Sequence, residues 1–426
     1  MRKILLFAFV AIAGAVAQGQ TLDECRSLAR NHYPEIRQYD LIAATEQYNL
    51  SNAARAWIPQ VMLSGQATYQ SATPSFPNEL GFLFGLMGVD LSGMRKDQYK
   101  VAVDVSQNIW DGGLSKANRA VAVAEAAEQR GRVDVSLYDL MARVDNIYFG
   151  ILLLDERVSQ TESLVEVLEG NLRRVRVCVD NGVAMQSDAD AIEAELLTAR
   201  QTLGQVEASR DSFRRMLELL IGQPLSDSKL QRPAMAEVAG LQSNRPELRL
   251  LDAQSNRINA QRMAVNVSVM PHLSAFAQGY YGYPGMDMFK SMSSSNWSLN
   301  GIVGLRMAWN IGSFYTRRNN LGRLATAQQQ VDVQRELFLF NSRLQAQQDD
   351  GEIARLKRAL VDDCRIVELR RSVRMAAESK MENGVIDATD LLRKIADETN
   401  AALNRSTHEI ELLQAVYRLK MNMGEF

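Results

Sequence analysis

Three histidines, His32, His272 and His408, lie far apart and lack the spacing that metal ligands need. The chain has no Gly-x-Ser-x-Gly, no glycine loop that would cradle phosphate, and no cysteine pair. Catalysis has no set of residues to work through, so neither an enzyme nor a cofactor is expected. Charge, however, recurs at matched positions. Asn181-Gly182-Val183 is followed by Asp188, and Asn383-Gly384-Val385 is followed at the same spacing by Asp390. An acid in the first turn after an Asn-Gly break suits the positive end of a helix. Arg393, one turn past Asp390, is placed to pair with it on the same helix.

Long helices must carry these turns. From Leu137 to Val179 the apolar residues step by three and four: Leu137, Leu140, Val144, Ile147, Ile151, Leu154, Val158, then Thr161, Val165, Leu168, Leu172, Val175 and Val179. Only Thr161 is not aliphatic, and so sustained a seam packs on other helices as a coiled coil. No proline interrupts 114–180. A helix over that whole stretch is roughly 100 Å long at 1.5 Å per residue.

The chain is internally duplicated. Pro34 matches Pro246, Pro59 matches Pro271, Gln66 matches Gln278 and Tyr69 matches Tyr281 at one constant spacing. Farther on, the two Asn-Gly turns, Asp188 with Asp390 and Gly222 with Gly424, match at a shorter one. The second copy has therefore lost a short segment after Tyr281. The first repeat spans 18–225, with a hairpin at 58–110, a long helix at 114–180, a tip turn at 181–186 and a return helix at 187–221. A linker at 226–243 follows. The second repeat, 244–426, has its hairpin at 270–311, long helix at 316–382, tip at 383–388 and return helix at 389–423. The second long helix has the poorer seam: Ile353, Leu356, Leu360 and Val367 are interrupted by Asp363 and Arg370. Cys178 and Cys364 sit roughly 25 Å apart in height, too far to bridge, and buried free thiols are expected.

Pro59 and Pro271 stop the helix before each hairpin. Val61, Leu63, Gly65, Ala67 and Tyr69 then alternate with Gln60, Met62, Ser64, Gln66 and Thr68. Tyr99, Val101, Val103 and Val105 alternate with Lys100, Ala102, Asp104 and Ser106, and the second copy repeats the pattern at 273–281 and 299–307. Such period-two segments suit a membrane barrel or a half-buried sheet. Gly112-Gly113 and Gly312-Ser313 break the strands into the long helices. Four strands with an apolar face cannot close alone, since the smallest membrane barrels have about eight.

Residues 1–17 read as a secretory signal, with Arg2 and Lys3, an apolar run, and Ala15-Val16-Ala17 before the cut. No later run is long and apolar enough for a membrane helix. A 46% hydrophobic and 23% charged composition suits a folded chain. A net charge of −2 without a basic patch speaks against nucleic acid.

Taken together, the signal peptide, the duplicated helix–hairpin–long helix–Asn-Gly turn–helix order, and the breaks Ile109-Trp110-Asp111-Gly112-Gly113 and Trp309-Asn310-Ile311-Gly312-Ser313 resemble the TolC family of outer-membrane efflux proteins. The resemblance covers Thr21 to Gly424. It implies an α+β, mainly α, fold: a homotrimer with one outer-membrane barrel of about 12 strands and coiled-coil helices forming a periplasmic α-barrel. It further implies a passive exit duct for efflux or type I secretion, in the outer membrane of a Gram-negative bacterium and extending into the periplasm. A periplasmic adaptor (a membrane fusion protein) and, through it, an inner-membrane RND or ABC transporter would be the partners. The two Asn-Gly-Val tips would meet the adaptor. Asp188 and Asp390 would ring the entrance as a cation-attracting filter. Arg393 stands where the family often has a second acid, so a double acidic ring is not expected. Asp104 and Arg306 would face the barrel lumen as an opposite-charge belt. A secreted or periplasmic coiled-coil scaffold or adhesin without a pore is the alternative; it has no use for four alternating segments.

Overall fold

The computed structural model describes residues 20–425 except 76, 78–81, 83, 89–92, 226–228, 236–243 and 384. The expected signal peptide, Gly384 and most of the linker lie outside the described residues. Helix α1 runs Leu22–His32, followed by a 3₁₀ turn at Pro34–Arg37 and helix α2 at Gln38–Arg55. Strands β1 (Gln60–Tyr69) and β2 (Asp97–Trp110) precede α3 (Leu114–Asp180) and α4 (Gln186–Ile221). The second copy gives α5 (Pro246–Val267), β3 (His272–Tyr283), a short α6 (Met288–Ser293), β4 (Ser298–Ala308), α7 (Ser313–Glu382) and α8 (Ala388–Met423). Helix α7 has 70 residues against 67 in α3, because it starts at Ser313 rather than the expected Thr316.

The reading from periodicity omits α1, although its start is written in the sequence. The Thr21 hydroxyl accepts from the Glu24 N–H at 3.3 Å, and the Glu24 carboxylate accepts from the Thr21 N–H at 2.9 Å. This reciprocal Thr-x-x-Glu box satisfies two of the donors a helix start leaves open.

Contacts divide the chain into two compact units that cut across the repeats. One comprises the chain up to Tyr39, Arg130–Leu251 and Val333–Phe426; the other comprises Asp40–Gln129 and Asp252–Asp332.

The first unit is helical. On α3 the seam residues Leu137, Leu140, Val144, Ile151, Val158, Leu168, Leu172 and Val175 are buried. Near the tips, Leu168, Leu172 and Val175 share a core with Ile192 and Leu196 of α4, Ala377 of α7, and Leu391 and Ile395 of α8. The two gaps in the α7 seam are answered by α8. His408 Nδ1 donates to Asp363 at 2.6 Å, and Arg370 pairs with Asp397 at 2.8 Å. A polar residue in a seam is tolerated when its partner comes with the neighbouring helix.

The second unit contains the sheet, antiparallel in the order β1-β2-β3-β4. Gly112 (φ +65) and Gly113 (φ +93) adopt left-handed backbone, and a Cβ on Gly112 would meet Met270 at 2.5 Å. Asp111 accepts from the N–H groups of Gly113 and Ser115 at 3.0 and 2.7 Å, so the break also caps α3. Copy two turns differently. Gly312 shows no left-handed φ, and the Ser313 hydroxyl donates to the Asn310 carbonyl at 2.6 Å.

The expectation of buried thiols holds only in part. Cys25 is buried, Cys178 half-buried and Cys364 exposed, all three free. Cys364 follows Asp363 on α7, one position off the face that α8 covers. Burial, then Glu24, pushes the Cys25 thiol up to about 12, which leaves it inert.

Candidate functional site

The sheet has two chemically distinct faces, and the register shows how they continue across strands. Met62, Asp104, Gln278 and Ile302 lie in one cross-strand row, on the face that also holds Gln60, Ser64, Gln66, Ser106, Ser274, Asn300 and Arg306. Leu63, Val103, Gly279 and Gly301 lie in the next row, on the opposite face. That second face is apolar and open: Leu63 is 72% exposed, Leu299 82%, Val303 79% and Leu305 68%. So many large apolar side chains on one sheet face mark a surface that another apolar medium covers.

Aromatic residues bound the apolar face at both ends. At the loop end stand Tyr69, Tyr99, Tyr281 and Trp297, with Trp297 stacked on Tyr99 at 6.4 Å and tilted against Tyr281 at 5.4 Å. At the helix end stand Trp110 and Trp309. Simple alternation would put Trp110 on the polar face. A bulge between Asn108 and Trp110 brings Trp110 opposite Leu273 and so onto the apolar face. The Trp309 indole N–H donates to the Val269 carbonyl at 3.0 Å.

On the polar face Asp104 accepts from Gln278 Nε2 at 2.5 Å and from the Ser64 hydroxyl at 3.5 Å. The Arg306 guanidinium sits 4.6 Å over the Phe276 ring. Arg306 lies opposite Ser274, four residues along β4 from the Asp104 row, so the two charges do not pair within one chain.

The tips share a backbone pattern. The Val183 N–H donates to the Cys178 carbonyl at 2.8 Å, and the Val385 N–H to the Lys380 carbonyl at 2.9 Å. Asn181 and Asn383 donate from their side chains to Val177 and Ser379. Gly182 is left-handed (φ +73), which closes the turn after α3. Val183 and Val385 are 58% and 67% exposed.

The two aspartates differ. Asp188 accepts from the Met185 N–H at 3.0 Å and so closes a local helix start. At the second tip Asp387 takes the capping place, accepting from the Asp390 N–H at 2.8 Å, which leaves the Asp390 carboxylate exposed and outside the cap. Arg393 is also exposed; the i,i+3 pair with Asp390 is not formed among the described residues.

Sequence reasoning missed the ion network behind the tips. Arg174 of α3 meets Glu378 at 3.5 Å and Glu382 at 3.0 Å on α7; Arg374 meets Glu378 at 2.6 Å and also contacts Glu398 of α8. It also missed Arg26, which makes a two-point bond to Asp145 at 2.7 and 2.6 Å with both residues buried. Burial pushes the Asp145 carboxyl up, against the pull of Arg26. Nothing in the sequence links two residues so far apart.

Residues 25–223 match the family described as outer membrane efflux protein. Solved structures resemble this chain in fold. The outer membrane protein VceC from Vibrio cholerae is 13% identical with a TM-score of 0.71, over 95% of this chain and 96% of that one. The CmeC outer membrane channel of Campylobacter jejuni is 11% identical with a TM-score of 0.66, over 95% and 86%. The MtrE outer membrane channel of Neisseria gonorrhoeae, in its open state, is 16% identical with a TM-score of 0.65, over 95% and 89%. No curated protein sequence matches the chain. The likeness extends over the long helices and the one small antiparallel sheet.

Proposed function

We propose that this protein, whose first repeat matches the outer membrane efflux protein family, is the outer-membrane exit channel of a tripartite efflux or secretion system, a passive conduit to the exterior. The exposed apolar sheet face with its two aromatic rims carries the reading. From Tyr99 to Trp110, β2 runs roughly 35 Å at about 3.3 Å per residue. At the roughly 40° tilt of barrel strands this projects to about 27 Å, the height of an outer-membrane apolar band.

Three copies of the four-stranded sheet close the barrel through the free edges of β1 and β4. Val333, Leu337, Phe340 and Leu344 on α7, spaced as a heptad stripe and 57–65% exposed, supply a second interface between copies. The signal is removed near Ala17. The polar face with Asp104 and Arg306 lines the lumen. The tips at Asn181-Gly182-Val183 and Asn383-Gly384-Val385 form the periplasmic entrance and take the adaptor, which joins the duct to an inner-membrane pump. Asp390, outside the cap, forms the charged ring of the entrance; Asp188 serves the ring and its own helix start. Pro59, Pro271, Gly112, Gly113 and Gly312 set the turns between sheet and helices.

The test is single-channel conductance of detergent-purified protein in a planar bilayer, beside Asp390→Ala. Steady cation-selective conductance, with selectivity reduced in the variant, is expected. Absence of conductance in protein that stays monodisperse without detergent would overturn the reading.

A further inference from the structure

At the loop end of the sheet Arg95, Asp97, Tyr99, Tyr283, Ser295 and Trp297 line a shallow pocket of about 260 Å³. Its walls are held in place. The Arg95 guanidinium makes a two-point bond to Asp97 at 3.1 and 2.5 Å. The Arg95 N–H donates to the Tyr283 hydroxyl at 3.0 Å, and that hydroxyl donates onward to the Ser291 carbonyl at 2.9 Å. Trp297 and Tyr99, each 44% exposed, offer ring faces beside this pair. The Trp297 indole N–H and the Tyr99 and Ser295 hydroxyls make no hydrogen bond among the described residues. Aromatic faces beside a few placed polar groups are what a ligand with one apolar face and a polar rim needs.

We infer that this pocket binds a pyranose sugar, the headgroup of a glycolipid in the outer leaflet. The inference rests on the outer-membrane reading for the position of the pocket. Its chemistry stands on the pocket itself. A pyranose presents an apolar C–H face that packs on an aromatic ring and a rim of hydroxyls that need both donors and acceptors. Trp297 and Tyr99 supply the first; Asp97, Arg95, Ser295 and the indole N–H supply the second. A bare phosphate fits less well, since Asp97 already neutralises Arg95 and would repel it. The face below the pocket selects a lipid-borne sugar. Val101, Leu299 and Val303 continue from Tyr99 and Trp297 on the same side, so acyl chains have an apolar track directly beneath the headgroup.

The experiment compares glycolipid retained on detergent-purified protein after incubation with lipopolysaccharide, for wild type, Trp297→Leu, Asp97→Asn and the helix-end control Trp309→Leu. Methyl glucoside alone is titrated in parallel, and trimer mass and conductance are read on the same samples. At least a fivefold loss of retained glycolipid in both pocket variants, with Trp309→Leu and conductance unchanged, is expected. Equal retention in all four proteins would overturn the site. An equal loss in Trp309→Leu would reduce it to a general aromatic rim. Methyl glucoside binding without glycolipid binding would overturn the lipid source. If wild type forms no channel while the pocket variants still lose glycolipid, the channel reading fails and the pocket stands.

Discussion

Helices α3 and α7 hold matching places in the element order, yet they bury their apolar residues in different places. From Leu137 to Val175 the seam of α3 is covered by its own chain, with Val144, Ile151 and Leu168 at 0% exposure. On α7 the stripe Val333, Leu337, Phe340 and Leu344 is left open, and the residues at 0% are Leu356 and the acid Asp349. One rod is buried within the chain, and the other keeps an open apolar stripe, the face that the trimer proposal assigns to a neighbouring copy. On the trimer proposal the poor seam of α7 is a division of labour. Its acid Asp363 and its base Arg370 are matched on α8, while its exposed apolar residues are those the trimer proposal gives to another copy.

The sharpest break of this comparison is a charge in each seam. Val144→Asp places an unpaired carboxylate in a closed core, at a cost of several kcal/mol. It should abolish folded protein, seen as loss of helical circular dichroism and of protease resistance. Phe340→Glu should keep both and lose the trimer, seen by native mass in detergent. Should Phe340→Glu unfold the chain as completely as Val144→Asp, the stripe is core and the comparison fails.

The two tips differ in a smaller way. Asp188→Ala removes a capping-box acceptor and should destabilise the chain by about 1 kcal/mol. Asp390→Ala should leave thermal stability unchanged and alter ion selectivity only. Equal melting temperatures for the two variants would contradict the asymmetry.

A buried acid gives the smallest effect. Asp363 on α7 is answered by His408, whereas Asp155 on α3 is buried with one oxygen unpartnered, and burial pushes its carboxyl up. A carboxyl raised in the folded state adds no cost below the ordinary carboxylate range and weakens the fold as pH rises through its folded pKa. Asp155→Asn should therefore raise Tm by a few degrees at pH 8, with the gain fading as pH falls toward the ordinary carboxylate range. A gain that grows on acidification would reverse the sign and refute the assignment.

Much of this architecture could be read from residue order. The α3 seam was legible because burial there follows one period, and the strand faces because alternation survives on every strand. Three features escaped for physical reasons. Helix α1 is short, and its only strong mark is the Thr21–Glu24 box. Trp110 changes face through a bulge, which strict alternation does not foresee. Arg26–Asp145 and the Arg174–Glu378 network join distant segments, and no local period encodes a long-range pair. The matched positions of Asp188 and Asp390 suggested one role, but the extra acid Asp387 takes over the cap in the second copy and separates them.

One measurement reaches the central claim that the sheet and the α7 stripe are completed by further copies of the same chain. It is the native mass of the wild-type protein, extracted in detergent and then transferred to plain buffer. Three chains per particle in detergent, with aggregation once detergent is removed, is the predicted result. A monomer that remains soluble and folded in plain buffer would contradict it, because the open apolar face and the exposed stripe would then need no partner.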